Sequence, residues 1–328
     1  FPPGGGAPPP PHPPPTTHER SRFPRRRSRP AAPDSGRQDV RRAGVDGLGL
    51  GMADGVVRVL GVDACPGGWV AIELADGEFS RASFAAELRT LVDTSTVGVI
   101  GVDMPLGLRS EGWRAADHAA RAVLGPRRAS VFLVPPRAVW ALPDFAAANA
   151  RCRALTGNGL TQQTWGLRPK LLEADVLRER MPGRLYEVHP EVAFAAMAAR
   201  PRTDPADEWL AMVVAAGETA EVGPGDVLAA GARGGGGQVV APAPAHLPLT
   251  HAKTTWAGAA RRRALLRAAG ILLPDDLGPA GVVPPVDVLD AAAVAWTAHR
   301  VATGQGRCLP DGTGTQLDDR GEPIGIWY

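Results

Sequence analysis

Residues 56–63 read VVRVLGVD, and residues 97–103 read VGVIGVD. Each is a short apolar run, rich in β-branched residues, that ends in an aspartate, as expected of a buried strand followed by a polar group. Strands this apolar are typical of sheets that helices cover on both faces. The two stretches predict an α/β domain in which Asp63 and Asp103 follow two interior strands.

The segment between these runs predicts a β-hairpin and a helix. Residues 64–68 form a turn, 69–74 a second strand, Asp76-Gly77 a hairpin turn and 78–84 a third strand. Apolar residues at helical spacing then predict a helix over 84–93. The expected order is three strands, a helix and a fourth strand.

The remainder of the chain is mostly helical in pattern. We predict helices over 111–124, 144–155, from the capping residue Thr161 to about 180, 190–199, 255–269 and 285–302, and strands over 184–188 and 324–328. The helices between about 110 and 182 therefore form a large helical insertion between two strands of the sheet.

Residues 1–54 are predicted to be a disordered tail, because they are rich in Pro and Arg and poor in aliphatic residues. The tail is either a basic interaction arm or sequence that precedes the natural start at Met52, and we favour the second interpretation. The folded domain is then expected to cover 55–328, with a mobile Gly-, Pro- and Ala-rich loop at about 215–250.

Charge and cysteine content limit the class of protein. Of 36 basic and 34 acidic side chains, nine Arg and four acidic residues lie in 1–51, which leaves 27 basic and 30 acidic in the remainder. Nucleic-acid binding would therefore depend on a local basic patch. Three widely spaced cysteines, Cys65, Cys152 and Cys308, predict reduced thiols in a cytoplasmic protein. Neither a membrane span nor a secretory signal is indicated.

Four aspartates form the predicted active site. Asp63 and Asp103 follow neighbouring strands, whose carboxyl ends converge on the functional crevice of an α/β sheet. Asp287 and Asp290 are three residues apart on the last long helix and share one face. Carboxylates about 4 Å apart repel by several kcal/mol, and Mg²⁺ or Mn²⁺ would remove that repulsion. The alternative is that each aspartate only caps a turn or a helix.

Further candidate residues are expected near these aspartates. Glu187 ends the strand at 184–188, and His189 is either a proton donor or a structural hydrogen-bonding residue. Lys253, one of two lysines in the chain, precedes a helix and either binds phosphate or is a solvated charge. One helical stripe, which is either solvated or turned toward an anionic ligand, contains Arg114, Asp117, His118 and Arg121.

Several motifs together resemble the DUF429 family. They are residues 61–70 (GVDACPGGWV), 102–108 (VDMPLGL), Arg114 with Asp117, 130–136, 163–165 (QTW), Lys170, 187–192 (EVHPEV), Lys253-Thr254 and 287–291 (DVLDA). These motifs extend over nearly all of residues 60–328. Members of this family are regarded as predicted nucleases of the ribonuclease H fold. The resemblance implies a ribonuclease H-like mixed sheet flanked by helices, at which Asp63, Asp103, Asp287 and Asp290 meet.

The sequence departs from the common ribonuclease H pattern in one respect. Many such nucleases have a further glutamate on the first helix, and the corresponding residue is Glu87, which lies among Ala85, Ala86 and Leu88. If Glu87 is not used, Glu187 would replace it as a ligand.

The predicted function is metal-dependent hydrolysis of phosphodiester bonds in a nucleic acid or a nucleotide. The four aspartates would hold two Mg²⁺ or Mn²⁺ ions, as in two-metal phosphodiester hydrolysis. Lys253 or Arg114 would neutralise charge that develops on the phosphate, and His189 would transfer a proton. The predicted substrate-binding residues are Arg114, Asp117, Arg121 and Lys170.

Two other hypotheses stay open on the sequence alone. One is an ATP-binding phosphotransferase of the actin and sugar-kinase group, although such proteins usually need a second copy of the domain and the sequence contains no repeat. The other is a non-catalytic binding protein that uses the aspartates only as caps. The oligomeric state is not indicated by the sequence.

Overall fold

The computed structural model describes residues 55–200, 249–311 and 316–328. Its main sheet consists of β1 (Arg58–Cys65), β2 (Gly68–Ala75), β3 (Glu78–Ala85), β4 (Val99–Asp103) and β5 (Leu185–Glu187). The order across the sheet is β3-β2-β1-β4-β5. The first three strands are antiparallel neighbours, whereas β4 lies parallel to β1 and β5 parallel to β4. The prediction of a mixed α/β sheet is therefore confirmed.

Helices follow the strands in the predicted order. The helices between β4 and β5 are α2 (Ala115–Leu124), α3 (Arg137–Trp140), α4 (Phe145–Thr156), α5 (Gln162–Gly166) and α6 (Arg168–Arg180). The others are α1 (Leu88–Asp93), α7 (Pro190–Ala199), α8 (Trp256–Ala268) and α9 (Pro285–Ala302). Two short strands, β6 (Cys308–Leu309) and β7 (Ile326–Trp327), form a separate antiparallel pair.

Helices cover both faces of the main sheet. Val59 of β1 belongs to a core cluster with apolar residues of α2, α7, α8 and α9. Leu60 and Val62 belong to a second cluster, on the opposite face, with residues of α1 and α6. Because alternate residues of a strand point to opposite faces, the continuous apolar run of β1 is explained by burial on both sides.

Helix α9 lies against the backbone of β1. A Cβ atom added to Gly61 would be 2.0 Å from the backbone nitrogen of Ala295 and 2.4 Å from the carbonyl oxygen of Ala291. On β4, a Cβ at Gly101 would be 2.8 Å from a side-chain methyl of Val294. The small residues of α9 and the glycines of the strands together bring the helix close enough for its polar residues to reach the strand ends.

Several element boundaries differ from the sequence predictions. Helix α1 begins at Leu88 because β3 continues to Ala85, which pairs with Trp69. The single helix predicted from Thr161 to about 180 is wrong, since α5 ends before α6 begins. Pro169, within the first turn of α6, explains this division because it has no amide hydrogen for a continuous helix.

Other predicted segments are shorter than expected or cannot be compared. The strand predicted over 324–328 is reduced to the short β7, which pairs with β6. The predicted tail at 1–54 and most of the predicted loop at 215–250 lie outside the described residues. None of the helices in the described ranges combines the length and the apolar character that a membrane crossing requires.

Replacement of Gly61 tests the close packing of α9 on β1. We expect Gly61→Ala to lower the free energy of unfolding by about 3 kcal/mol, because the new methyl group overlaps the helix backbone. Gly166→Ala is the control, since a Cβ there has no atom within 4 Å. Urea unfolding of both variants measures the effect. Equal stability of the two variants would contradict the packing.

Candidate functional site

Asp63 and Asp103 lie side by side near the carboxyl ends of parallel strands. In the register of the sheet the Cα of Asp63 pairs with that of Asp103, and Gly61 pairs with Gly101. Both glycines face α9, and residues two apart on a strand share a face. Each Gly-Val-Asp sequence therefore contains a glycine that admits the helix and an aspartate that lies next to it on the same face.

Asp290 of α9 completes a cluster of three carboxylates. One oxygen each from Asp63, Asp103 and Asp290 lies within 4.8 Å of the others. Asp63 and Asp290 are buried, and Asp103 is partly buried. The three residues come from two strands and a helix that are far apart in the sequence, and the fold brings them to one point.

Burial and mutual repulsion favour the protonated forms of these aspartates. Burial is the main cause that raises the pKa of Asp63 well above its usual value, and repulsion from Asp103 and Asp290 adds to it. Burial also raises the pKa of Asp103 to about 7 and that of Asp290 to about 6, although the positive charge of Lys253 acts in the opposite direction on both. A cation at this point would replace the protons.

Lys253 partly compensates the negative charge. Its Nζ donates to Oδ2 of Asp290 at 2.5 Å. Burial alone would lower the pKa of Lys253, but Asp290, Asp103 and Asp63 raise it above its ordinary value, so the ammonium group stays charged. One lysine does not balance three carboxylates, and the net charge of the cluster remains negative when all are ionised.

The second oxygen of Asp290 indicates that the cluster fits a cation. Oδ1 of Asp290 is buried and has no hydrogen-bond partner among the described residues. A buried carboxylate oxygen without a partner is costly. Three hard oxygen ligands around one point suit Mg²⁺ or Mn²⁺, so the donor set agrees with the predicted metal, with Asp63, Asp103 and Asp290 as ligands.

The carboxylate cluster opens into a cavity of about 330 Å³. The predicted site residues that line it are Asp63, Asp103, Asp117, Glu187, His189, Lys253 and Asp290. Most of the residues that the sequence selected for catalysis therefore share one cavity, although they differ in what they contact.

His189 has one ring nitrogen bonded and one without a partner. Its Nε2 lies 3.2 Å from the carbonyl oxygen of Ser130, which can only accept a hydrogen bond. Nε2 is therefore the protonated nitrogen, and the buried Nδ1 has no hydrogen-bond partner among the described residues. Burial lowers the pKa of His189, so the ring is neutral at neutral pH and Nδ1 is a proton acceptor.

Glu187 is held by the protein rather than presented as a free ligand. Its Oε2 accepts from the backbone N–H of Leu106 at 2.7 Å, and its Oε1 accepts from Arg114. Arg114 is fully buried and also lies 3.2 Å from Asp117, which accepts from the backbone N–H of Val134. This network fixes the loop that follows Asp103. Direct contact of Arg114 or Glu187 with a ligand stays a prediction.

Other predicted residues lie outside the three-carboxylate cluster. Asp287 is half-buried in the first turn of α9. Its negative charge repels that of Asp63 and so helps to raise the pKa of Asp63. Glu87 is exposed before α1. The Nζ of Lys170 lies 4.6 Å from the ring centre of Trp69, and Arg121 donates to the carbonyl of Arg128. A role of Arg121 or Lys170 in substrate binding stays a prediction.

One prediction for the polar stripe on α2 was that its four residues face solvent. This prediction is wrong for two of them. Arg114 and Asp117 are buried, whereas His118 is exposed and Arg121 partly exposed. The reason is the partner, Glu187, which is 73 residues from Arg114 in the chain. Spacing along α2 contains no information about that contact.

A second buried charge pair, which the sequence patterns did not predict, lies beside the cavity. Glu191 of α7 accepts from the fully buried Arg262 of α8, and Arg127 lies 3.8 Å from the other oxygen of Glu191. Arg262 belongs to the basic run 261–263, but its spacing from the buried Leu265 and Leu266 was the signal that it faces the core. Arg127 and Phe132, which line the cavity, were not selected either.

The pH dependence of stability tests whether burial raises the pKa values of the clustered carboxyl groups. A carboxyl group whose pKa is raised by folding stabilises the protein below its unfolded pKa of about 4, and this contribution disappears as the pH rises through the folded pKa. For Asp103 and Asp290 the loss should extend to about pH 6–7. In EDTA, we expect Asp103→Asn to become progressively more stable than the wild type between pH 5 and pH 8.

Thermal unfolding of both proteins across this pH range provides the measurement. Saturating Mg²⁺ should reverse the order at pH 8, because the metal stabilises only the form that binds it. Parallel pH profiles of wild type and variant in EDTA would contradict a raised pKa of Asp103 in the folded protein.

The chain matches the profile of one protein family. No curated protein and no solved structure matches the chain significantly. The profile of the family described as "Protein of unknown function (DUF429)" matches residues 61–220 and 239–315. The matched ranges cover more than half of the chain and contain Asp63, Asp103, Lys253 and Asp290. The chain therefore belongs to the DUF429 family.

Proposed function

We propose that this DUF429 protein is a metal-dependent hydrolase of phosphodiester bonds in a nucleic acid or a nucleotide, built on a ribonuclease H-like fold. The observation that supports the proposal is the cluster of Asp63, Asp103 and Asp290, whose oxygens lie within 4.8 Å of one another. It lies in a cavity that also contains a cationic and a basic side chain, Lys253 and His189.

The topology is consistent with the fold part of the proposal. In the strand order β3-β2-β1-β4-β5, the first three strands of the chain are antiparallel neighbours, and β4 and β5 run parallel to β1. Acidic residues on the first and fourth strands and on a late helix are the arrangement that the family resemblance implies. The agreement includes three of the four predicted aspartates.

The residues present fit a hard divalent cation. When bound, Mg²⁺ or Mn²⁺ would polarise a phosphate oxygen and lower the pKa of a water molecule. The unpartnered Oδ1 of Asp290 is available to such an ion, while Oδ2 is held by Lys253. The arrangement with two ions, which would need Asp287, stays a prediction because Asp287 is not part of the cluster.

The surrounding residues have distinct chemical roles in this proposal. The ammonium group of Lys253 holds Asp290 in place and adds positive charge where the phosphate would become more negative. His189 is neutral and accepts a proton at Nδ1. Arg114 acts through Glu187, because that glutamate binds the backbone of the loop after Asp103 and so positions the loop.

The structure gives less support to the two alternatives. An actin-like phosphotransferase would contain a second, similar sheet, and the described residues contain only the five-stranded sheet and the β6–β7 pair. A protein that used its aspartates only as caps would tie up their oxygens. Oδ1 of Asp290 has no such partner within the described residues, and Asp290 lies beyond the first turn of α9.

Cleavage of a labelled panel of DNA, RNA and dinucleotide substrates with Mg²⁺ or Mn²⁺ tests the proposal. We expect metal-dependent hydrolysis, and we expect Asp63→Asn to lower its rate at least about 100-fold, since the loss of a ligand removes several kcal/mol of charge stabilisation. Asp93→Asn is the matched control, because Asp93 is exposed and its ion pair among the described residues is with Arg89.

Calorimetry with Mg²⁺ accompanies the assay. Tight metal binding by the wild type and the Asp93→Asn control, with weak binding by Asp63→Asn, would agree with the proposal. Equal cleavage by wild type and Asp63→Asn would contradict it, and so would hydrolysis that continues unchanged in EDTA.

A further inference from the structure

A second cavity adjoins the one that contains the carboxylates. It has a volume of about 370 Å³. The two cavities share Ala129, Ser130, Val131, Phe132, Gln163 and Leu167 as lining residues. A ligand at the carboxylate cluster would therefore have a neighbouring space along the segment 129–132.

The residues that line the second cavity suit a flat, uncharged group. Trp113 and Phe132 contribute aromatic surface to its lining, and the apolar Leu133 and Leu160 lie beside them. Asn158 adds an amide group to the lining, and Arg121 adds a positive charge. Aromatic side chains of this kind bind nucleobases by stacking, and the amide and guanidinium groups are hydrogen-bond donors.

The cations near the carboxylates are few. Among the described residues that line the first cavity, the lysine and arginine side chains are Lys253 and Arg127. Lys253 is bonded to Asp290, and Arg127 lies 3.8 Å from Glu191. This supply of positive charge suits one phosphate group. A duplex is instead held by a row of Lys and Arg side chains along several phosphates.

The overall charge leads to the same conclusion. Residues 52–328 contain 27 of the 36 basic and 30 of the 34 acidic side chains, so this part of the chain has no excess of positive charge. The cavity of about 330 Å³ is at the small end of the range of about 300–1,000 Å³ for small-molecule sites. Both features favour a compact ligand over a long polyanion.

We infer, on the basis of the proposed function, that the substrate is a phosphodiester of dinucleotide size, with its phosphate at the carboxylates and one nucleobase in the second cavity. In the reaction, the oxygen of water forms a bond to phosphorus and one P–O ester bond breaks. The leaving oxygen takes up a proton, and the products are a phosphate monoester and an alcohol. Phe132 is a specificity residue, since it lines both cavities.

The experiment compares three substrates in Mn²⁺: the dinucleotide dTpdT, a circular single-stranded 20-mer and a 20-base-pair duplex with hairpin-capped ends. We expect kcat/KM for the dinucleotide to exceed that for the duplex at least about tenfold. Phe132→Ala should lower the dinucleotide value about tenfold, as loss of one stacked base does. Phe145→Ala is the matched control, because Phe145 lines neither cavity. Equal turnover of duplex and dinucleotide would overturn the inference.

A binding measurement separates this inference from the proposed function. Dinucleotide and duplex affinities are measured by calorimetry in Ca²⁺ for the wild type, Phe132→Ala and Phe145→Ala. If no substrate is cleaved, the proposed function fails, while preferential dinucleotide binding that only Phe132→Ala weakens would still support the inferred ligand size. Binding of neither ligand, binding of both with equal affinity, or no effect of Phe132→Ala would overturn it.

Discussion

The contact between the backbones of α9 and β1 determines the position of the candidate site. Gly61 has no side chain, and Ala291 and Ala295 are small, so helix and strand approach closely. The contact places Asp290 beside the ends of β1 and β4. A bulkier residue at any of these positions would move the helix outward and separate Asp290 from Asp63 and Asp103. The carboxylate cluster therefore depends on the packing of these small residues.

The resulting cluster has an electrostatic cost that the rest of the site partly offsets. Three aspartates are brought together in a poorly solvated place, and burial raises the pKa of each. Lys253 is the nearest compensating charge, and it contacts only one oxygen of Asp290. The uncompensated negative charge and the unpartnered oxygen of Asp290 are the features that would favour a bound cation. The buried pairs Arg114–Glu187 and Arg262–Glu191 support the adjacent loop and helices.

Much of the central fold followed from local patterns. The two apolar runs that end in Asp63 and Asp103 predicted both strands and placed the two aspartates at the strand ends. Asp290 was predicted together with Asp287 because residues three apart share a helical face. That spacing still leaves Asp287 nearly one turn closer to the helix end, where it is more exposed. The burial of Arg114 was not predictable, since it depends on Glu187, which is 73 residues away. Arg262 was overlooked, although its spacing from Leu265 and Leu266 places it on the buried face of α8. The break between α5 and α6 was predictable in principle from Pro169.

The most direct measurement of the central claim is anomalous diffraction from a crystal of the full chain soaked in Mn²⁺. We expect an anomalous peak about 2 Å from one carboxylate oxygen each of Asp63, Asp103 and Asp290. An absence of any peak at this point, or a peak elsewhere on the protein with the three carboxylates bonded only to protein groups, would contradict it.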